Sequence, residues 1–170
     1  SVSETSLLRH ELGLPNTGFV FCCFNNTFKI TPPTFAGWMR ILKAVEDSVL
    51  WLLGDNNNAT KNLKKEAMKF GINEDRLVFA THMPVEEHLN RIKQADLFID
   101  TLPYNAHTTT SDALRMGLPV LTCMGNSFAS RVAASLLNAI NLPELITTTQ
   151  EQYESLAIEL ATHPEQLKII

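Results

Sequence analysis

Residues 18–24 are apolar without interruption. In so short a run, that pattern describes a strand covered on both faces, as in a parallel sheet sandwiched between helices. The pattern recurs: residues 48–53, 76–81, 96–100 and 119–123 read as four further strands, and the segments between them carry helical spacing. Residues 34–45 follow Pro32 and Pro33 and repeat Phe35, Trp38, Met39, Ile41 and Leu42 at helical intervals, and proline is tolerated at a helix start. Residues 61–70 form a second helix stopped by Gly71. Residues 84–95 form a third, opened by Glu86 and Glu87, whose charge suits the positive end of its dipole. Residues 108–116 give a fourth, ending at Gly117. Asn126 or Ser127 is placed to cap a helix through Leu137, a short segment spans 144–147, and residues 150–162 make a last helix. Strand and helix therefore alternate, which predicts an α/β fold, a Rossmann-like parallel sheet with right-handed crossovers and helices on both faces. The 170 residues fit one domain, 1–170. The chain starts at Ser1 rather than a methionine and stops on apolar residues, so the expectation is a domain excised from a longer protein.

A formal net charge of -4 gives no electrostatic reason to expect nucleic acid or an anionic membrane as partner. Lys61, Lys64, Lys65 and Lys69 form a basic helix face that reads as solvated surface. No apolar run is long enough to span a bilayer. Cys22, Cys23 and Cys123 show no paired-ligand spacing, and neighbouring strand residues point to opposite faces, so reduced buried thiols in a cytoplasmic protein are expected. His10, His82 and His163 share no ligand spacing either, and no metal site is predicted.

Function should lie at the carboxyl ends of the strands, where open parallel sheets bind ligands. The expected dinucleotide fingerprint, Gly-x-Gly-x-x-Gly after the first strand, is absent; Phe24-Asn25-Asn26-Thr27-Phe28-Lys29 stands there instead. There is no phosphate loop of the Walker type. Residues 100–122 are the richest segment: a strand end, a polar loop, Thr108-Thr109-Thr110 at a helix start, a glycine stop and another strand. Hydroxyls and backbone N–H groups at a helix amino end suit an anion, and a phosphate is the natural guest. Asn26 and Lys29 after the first strand, His88 and Arg91 after the third, and the residues from His107 to Asp112 after the fourth all fall on the same sheet edge.

Taken together, Phe24-Asn25-Asn26-Thr27-Phe28-Lys29-Ile30, Ser48-Val49-Leu50-Trp51-Leu52-Leu53, Pro84-Val85-Glu86-Glu87-His88, His107-Thr108-Thr109, Asp112 and Ala129-Ser130-Arg131-Val132-Ala133-Ala134-Ser135 form a collinear series. It resembles the C-terminal catalytic lobe of O-linked N-acetylglucosamine transferases, TPR-containing glycosyltransferases that include bacterial and SPINDLY-like members. The resemblance implies a GT-B enzyme, whose two Rossmann-like lobes face a cleft, with this lobe holding a UDP-sugar donor. It implies Lys29 on the donor diphosphate, where an ammonium stabilises the leaving group. Asn26 falls where some relatives carry a glutamine that reaches the phosphates. His88 is placed beside the uridine, Arg91 near the uracil ring, His107, Thr108 and Thr109 on the diphosphate, and Asp112 on the ribose hydroxyls. Tyr104 falls near the sugar's acyl group, where some relatives carry cysteine, and Val85 replaces a lysine that helps hold the nucleotide in some of them. Read without the resemblance, Lys29 could be a solvated loop residue, His88 and Arg91 part of an exposed helix face, the threonines plain helix caps, and Asp112 a first-turn acid complementing the dipole.

The function so implied is the inverting transfer of N-acetylglucosamine from UDP to serine or threonine of a protein acceptor. No cofactor or metal is called for, since the UDP-sugar is a substrate. An N-terminal catalytic lobe and a TPR region in cis are the implied partners, and the isolated lobe is expected to bind donor without efficient turnover. Two alternatives stay open: a related UDP-hexose-dependent protein glycosyltransferase, for example on asparagine, and a non-catalytic UDP-sugar-binding interaction module.

Overall fold

The computed structural model describes residues 8–54, 56–102, 108–123 and 145–169. Its strands are β1 (Phe19–Cys23), β2 (Ser48–Leu53), β3 (Leu77–Ala80), β4 (Leu97–Ile99), β5 (Val120–Cys123) and β6 (Ile146–Thr147). The helices are α1 (Pro32–Ala44), α2 (Asn57–Lys69), α3 (Val85–Ile92), α4 (Thr108–Arg115) and α5 (Gln150–Thr162). The strands form one sheet in the order β3-β2-β1-β4-β5-β6, and every neighbouring pair is parallel. The chain steps outward from β1 to β3, then crosses back to start the other half at β4. That reversal opens a crevice between the carboxyl ends of β1 and β4, the place where doubly wound sheets receive ligands.

The continuous apolar runs are buried as their pattern requires. Val20, Phe21 and Cys22 of β1, Leu50, Trp51 and Leu52 of β2, Leu97 of β4 and Val120 and Leu121 of β5 are inaccessible to solvent. Helix α1 starts where Thr31 accepts the Thr34 amide on its hydroxyl, and it lays Phe35, Trp38, Met39, Ile41 and Leu42 into the core. Burial of one such large apolar side chain is worth about 1.5–3 kcal/mol. Gly18, at φ +100°, carries the chain into β1 with no room for a side chain, since a Cβ there would stand 2.8 Å from the Asp47 carbonyl oxygen.

Several boundaries differ from the sequence expectation, each for a local reason. Helix α2 begins at Asn57 rather than 61, because the Asn56 side chain accepts the Ala59 amide and caps it early. Helix α3 ends at Ile92 rather than 95; the amides of Lys93, Gln94 and Ala95 turn to carbonyls three residues back, a tightened last turn. Residues 74–76 form a short 3-10 turn before β3, so that strand starts at Leu77. The helix expected at 126–137 lies outside the described residues. Among the described residues, no helix is long and apolar enough to cross a membrane.

Candidate active site at the carboxyl edge

The crevice is built first from backbone. Past β1 the Asn25 side chain crosses to β4 and donates to the Thr101 hydroxyl at 2.7 Å, while its carbonyl oxygen accepts the Asn26 amide at 3.0 Å. Residues 27–29 then make a 3-10 turn, with the Lys29 amide bonded to the Asn26 carbonyl at 3.0 Å. This turn lifts Asn26 to the surface and leaves Lys29 half-buried, with Phe28 79% exposed between them.

Opposite, the end of β4 is held by a buried polar network that sequence reading did not identify. The Tyr153 hydroxyl of α5 donates to the Asp100 carbonyl at 2.8 Å and accepts from the Trp38 indole of α1 at 2.9 Å. Asp100 accepts the Thr101 amide at 2.8 Å and the Thr122 hydroxyl at 3.3 Å through its carboxyl oxygens, and Thr34 donates to the Leu102 carbonyl at 2.8 Å. Asp100, Thr101, Tyr153 and Trp38 are all solvent-inaccessible. Burial pushes the Tyr153 phenol well above its ordinary pKa, so its proton stays available for the bond to Asp100. Two packed helices thereby hold residues 100–102 past the end of β4. The available signal was an acid at the end of an apolar strand, with Trp38 and Tyr153 as polar-tipped aromatics on apolar helix faces.

Beside the crevice lies a cavity of about 250 Å³. Its floor is the strand ends Phe24, Leu53 and Ala80, one wall is Val85, His88 and Arg91 of α3 with His82 and Met83 before it, and the other is Thr109 and Asp112 of α4. Pockets for drug-sized ligands run from about 300 Å³ upward, so this one accommodates part of a larger molecule. A depression of about 310 Å³ at the opposite sheet edge is lined by Lys93 and Asp96 among apolar residues. Asp96 is already committed there, to Arg9 at 2.9 Å and to the Val20 amide at 2.8 Å.

Four of the residues singled out from sequence, His88, Arg91, Thr109 and Asp112, thus meet around one cavity. Asn26 and Lys29 stand on the β1–α1 turn and do not line it. Thr108 opens α4, whereas Tyr104 and His107, like Arg131, lie outside the described residues. Two local expectations change. Asp112 sits in the second turn of α4, and no acid occupies the first turn, so capping the dipole does not explain it. Arg91 does not lie on an open helix face: it is 2% exposed, with Nη1 donating to the Thr81 carbonyl at 2.6 Å and Nε donating to His88 Nδ1 at 2.9 Å. Burial first, then the Arg91 charge and His82, lowers the His88 pKa to about 4. His88 is accordingly neutral at pH 7. The Thr109 hydroxyl is buried without a hydrogen-bond partner, as is that of Thr110. In a wall of this kind, such a group is a place for a ligand oxygen. Among the described residues, no group of three or more histidines, cysteines or acids could hold a metal.

The sequence profile of glycosyl transferase family 41 matches residues 3–170. A UDP-N-acetylglucosamine–peptide N-acetylglucosaminyltransferase of Caenorhabditis elegans is 39% identical over 98% of this chain and 14% of its own length. The probable enzyme of that name from Arabidopsis thaliana, SEC, is 35% identical over 95% of the chain and 17% of its own length. The chain therefore spans about a sixth or less of these relatives. A solved O-GlcNAc transferase of Thermobaculum terrenum superposes with a TM-score of 0.85 at 33% identity, covering 89% of this chain and 30% of that one. The six-stranded parallel sheet matches the GT-B glycosyltransferase fold of that enzyme. With a profile match across nearly the whole chain and a superposable sheet, this chain belongs to glycosyl transferase family 41.

Proposed function

We propose that this chain is the UDP-sugar donor-binding lobe of an inverting protein O-GlcNAc transferase, moving N-acetylglucosamine from UDP-GlcNAc to serine or threonine of a protein. The observation that carries the reading is the convergence of His88, Arg91, Thr109 and Asp112 on one cavity beside the topological switch point. The cavity takes the uridine, with Asp112 accepting from ribose hydroxyls and His88 beside the base. The diphosphate runs toward the amino end of α4, where the N–H groups and the hydroxyls of Thr108 and Thr109 meet it together with His107. Lys29 approaches from the other lip with Asn26, and Tyr104 is assigned to the sugar's acyl group.

In this mechanism the acceptor hydroxyl attacks the anomeric carbon from the face opposite UDP. The bond to the β-phosphate oxygen breaks as the new glycosidic bond forms. Lys29 and the α4 amino end stabilise the charge growing on UDP, so no metal is required. The acceptor proton leaves to a group outside this chain, in an N-terminal catalytic lobe preceded by a TPR region. The protein is assigned to the cytoplasm, where Cys22, Cys23 and Cys123, all buried and free, stay reduced.

Calorimetric titration of this chain with UDP and UDP-GlcNAc, with and without a chelator, tests the core of the reading. Binding that is indifferent to the chelator and weakened by Asp112→Asn is expected; absence of UDP binding removes the reading. A donor panel on the full-length protein, read by mass spectrometry of acceptor proteins, tests the sugar and the acceptor residue.

A further inference from the structure

Backbone pairing between β1 and β4 stops short of the crevice, with Cys22 and Phe98 as its last partners. Carried on at the same register, Asn25 falls opposite Thr101, and partners in a parallel pair point to the same face of the sheet. There side chains take over from the ladder. Buried Asn25 donates from Nδ2 to the Thr101 hydroxyl at 2.7 Å and accepts the Asn26 amide on Oδ1 at 3.0 Å. A side-chain amide offers donor and acceptor at once, so this one residue joins the start of the β1–α1 turn to the exit of β4. The far end of the turn is tied to the next residue of that exit. The buried Thr34 hydroxyl donates to the Leu102 carbonyl at 2.8 Å, with the Thr31 hydroxyl 3.1 Å from the same oxygen. Residues 26–30, which include Lys29, are thus bracketed by bonds to two consecutive residues, Thr101 and Leu102. Both follow Asp100, whose carbonyl is held by the buried Tyr153 hydroxyl.

We propose that Asn25 and Thr34 are positioning residues that pin both ends of the Lys29 turn to the exit of β4, and so fix where the Lys29 side chain is rooted beside the crevice. The pin is a property of the free chain, while its consequence for catalysis rests on the proposed role of Lys29 at the leaving group. Inside the turn, the Lys29 amide bonds to the Asn26 carbonyl at 3.0 Å and the Ile30 amide to the Thr27 carbonyl at 3.1 Å. Those bonds set the shape of the turn and not its place relative to β4; the two ends supply that. An ammonium on a flexible four-carbon stem gains from a fixed root, since misplacing a reacting group by about 1 Å can cost about a hundredfold in rate. Asn25 and Thr34 therefore act through Lys29.

Amide hydrogen exchange of this chain, read residue by residue by NMR, tests the pin. Asn26 is exposed, yet its amide is expected to exchange about tenfold or more slower than in an unstructured chain, because Asn25 Oδ1 accepts it. An unprotected Asn26 amide overturns the proposal, and this wild-type measurement needs no variant to fold. Thr101→Val keeps the shape and removes the hydroxyl that Asn25 bonds. Exchange at Asn26, Lys29 and Ile30 should then accelerate by about tenfold and return toward wild type in Thr101→Ser. In the full-length protein, Thr101→Val should lower kcat by about tenfold at nearly unchanged donor KM, again restored by Thr101→Ser. Added to Lys29→Ala, it should lower kcat no further. A drop of equal size in both backgrounds marks a merely structural role and overturns the proposal, as does unchanged exchange in Thr101→Val. Should exchange respond while Lys29→Ala leaves kcat intact, the leaving-group reading falls and the pin stands. Should Lys29→Ala lower kcat while Thr101→Val moves neither exchange nor kcat, the pin falls and the reading stands.

Discussion

Replacing Tyr153 with phenylalanine removes one oxygen atom from the core and tests whether the network at the end of β4 is structural. The Tyr153 hydroxyl joins three elements: it accepts from Trp38 Nε1 of α1 at 2.9 Å and donates to the Asp100 carbonyl, just past β4, at 2.8 Å. All three residues are solvent-inaccessible, so water does not replace the lost partner. Leaving the Trp38 indole N–H buried without an acceptor costs about 1–3 kcal/mol, and the lost bond to the Asp100 carbonyl about 1 kcal/mol more. The expected destabilisation is therefore about 2–4 kcal/mol, a large part of a domain's usual 5–15 kcal/mol. Urea denaturation of this 170-residue chain, followed by tryptophan fluorescence, measures it. Combining Tyr153→Phe with Trp38→Phe removes donor and acceptor together, so the double variant should lose about 1 kcal/mol or more less than the sum of the singles. A Tyr153→Phe chain within about 0.5 kcal/mol of wild type, the range of ordinary surface changes, refutes the reasoning. Strict additivity in the cycle would refute it equally.

Other outcomes follow from the site and its frame. Gly18→Ala forces a side chain into φ +100° and to within 2.8 Å of the Asp47 carbonyl oxygen, and should cost about 1–3 kcal/mol in the same denaturation assay. His88 binds a proton less readily folded, with a pKa of about 4, than unfolded, near 6.5. Its contribution to stability is therefore complete above pH 6.5 and is lost as pH falls toward 4, so a pH series of midpoints should bend downward there and flatten in His88→Gln. Asp112→Asn keeps the shape but halves the acceptor strength toward ribose; UDP affinity should drop by about tenfold, in keeping with the 1.5–3 kcal/mol range for bonds to a charged group, with thermal stability nearly unchanged. Lys29→Ala in the full-length protein should lower kcat by about 100-fold or more while changing donor affinity far less, since its charge is needed when the leaving group forms.

Much of the fold was legible because it depends on patterns that are local in the chain. The apolar run of β1 had to be a doubly covered strand, and the spacing of Trp38, Met39 and Leu42 had to be a helix. Early or tightened helix ends escaped notice because they turn on single contacts, such as the Asn56 cap on Ala59. The site was legible in part. Motif positions named His88, Arg91, Thr109 and Asp112, and these do surround one cavity; that Asp100 and Tyr153 anchor its approach was not readable, because a hydrogen bond between residues 53 positions apart leaves no periodic trace.

By itself, then, the sequence determined the alternation of strand and helix, the sheet edge on which polar residues gather and the family motifs those residues form, since each follows from side-chain order along the chain. The tertiary structure alone decided the strand order with its switch between β1 and β4, the burial of Arg91 against Phe24 and the direction of its bond to His88. The physical reason is that the role of a polar side chain depends on what solvent or partner remains within a few ångströms of it. That is settled only when elements distant in sequence pack together, as α3 does against the end of β1, where the His88 ring and the Arg91 guanidinium both meet Phe24.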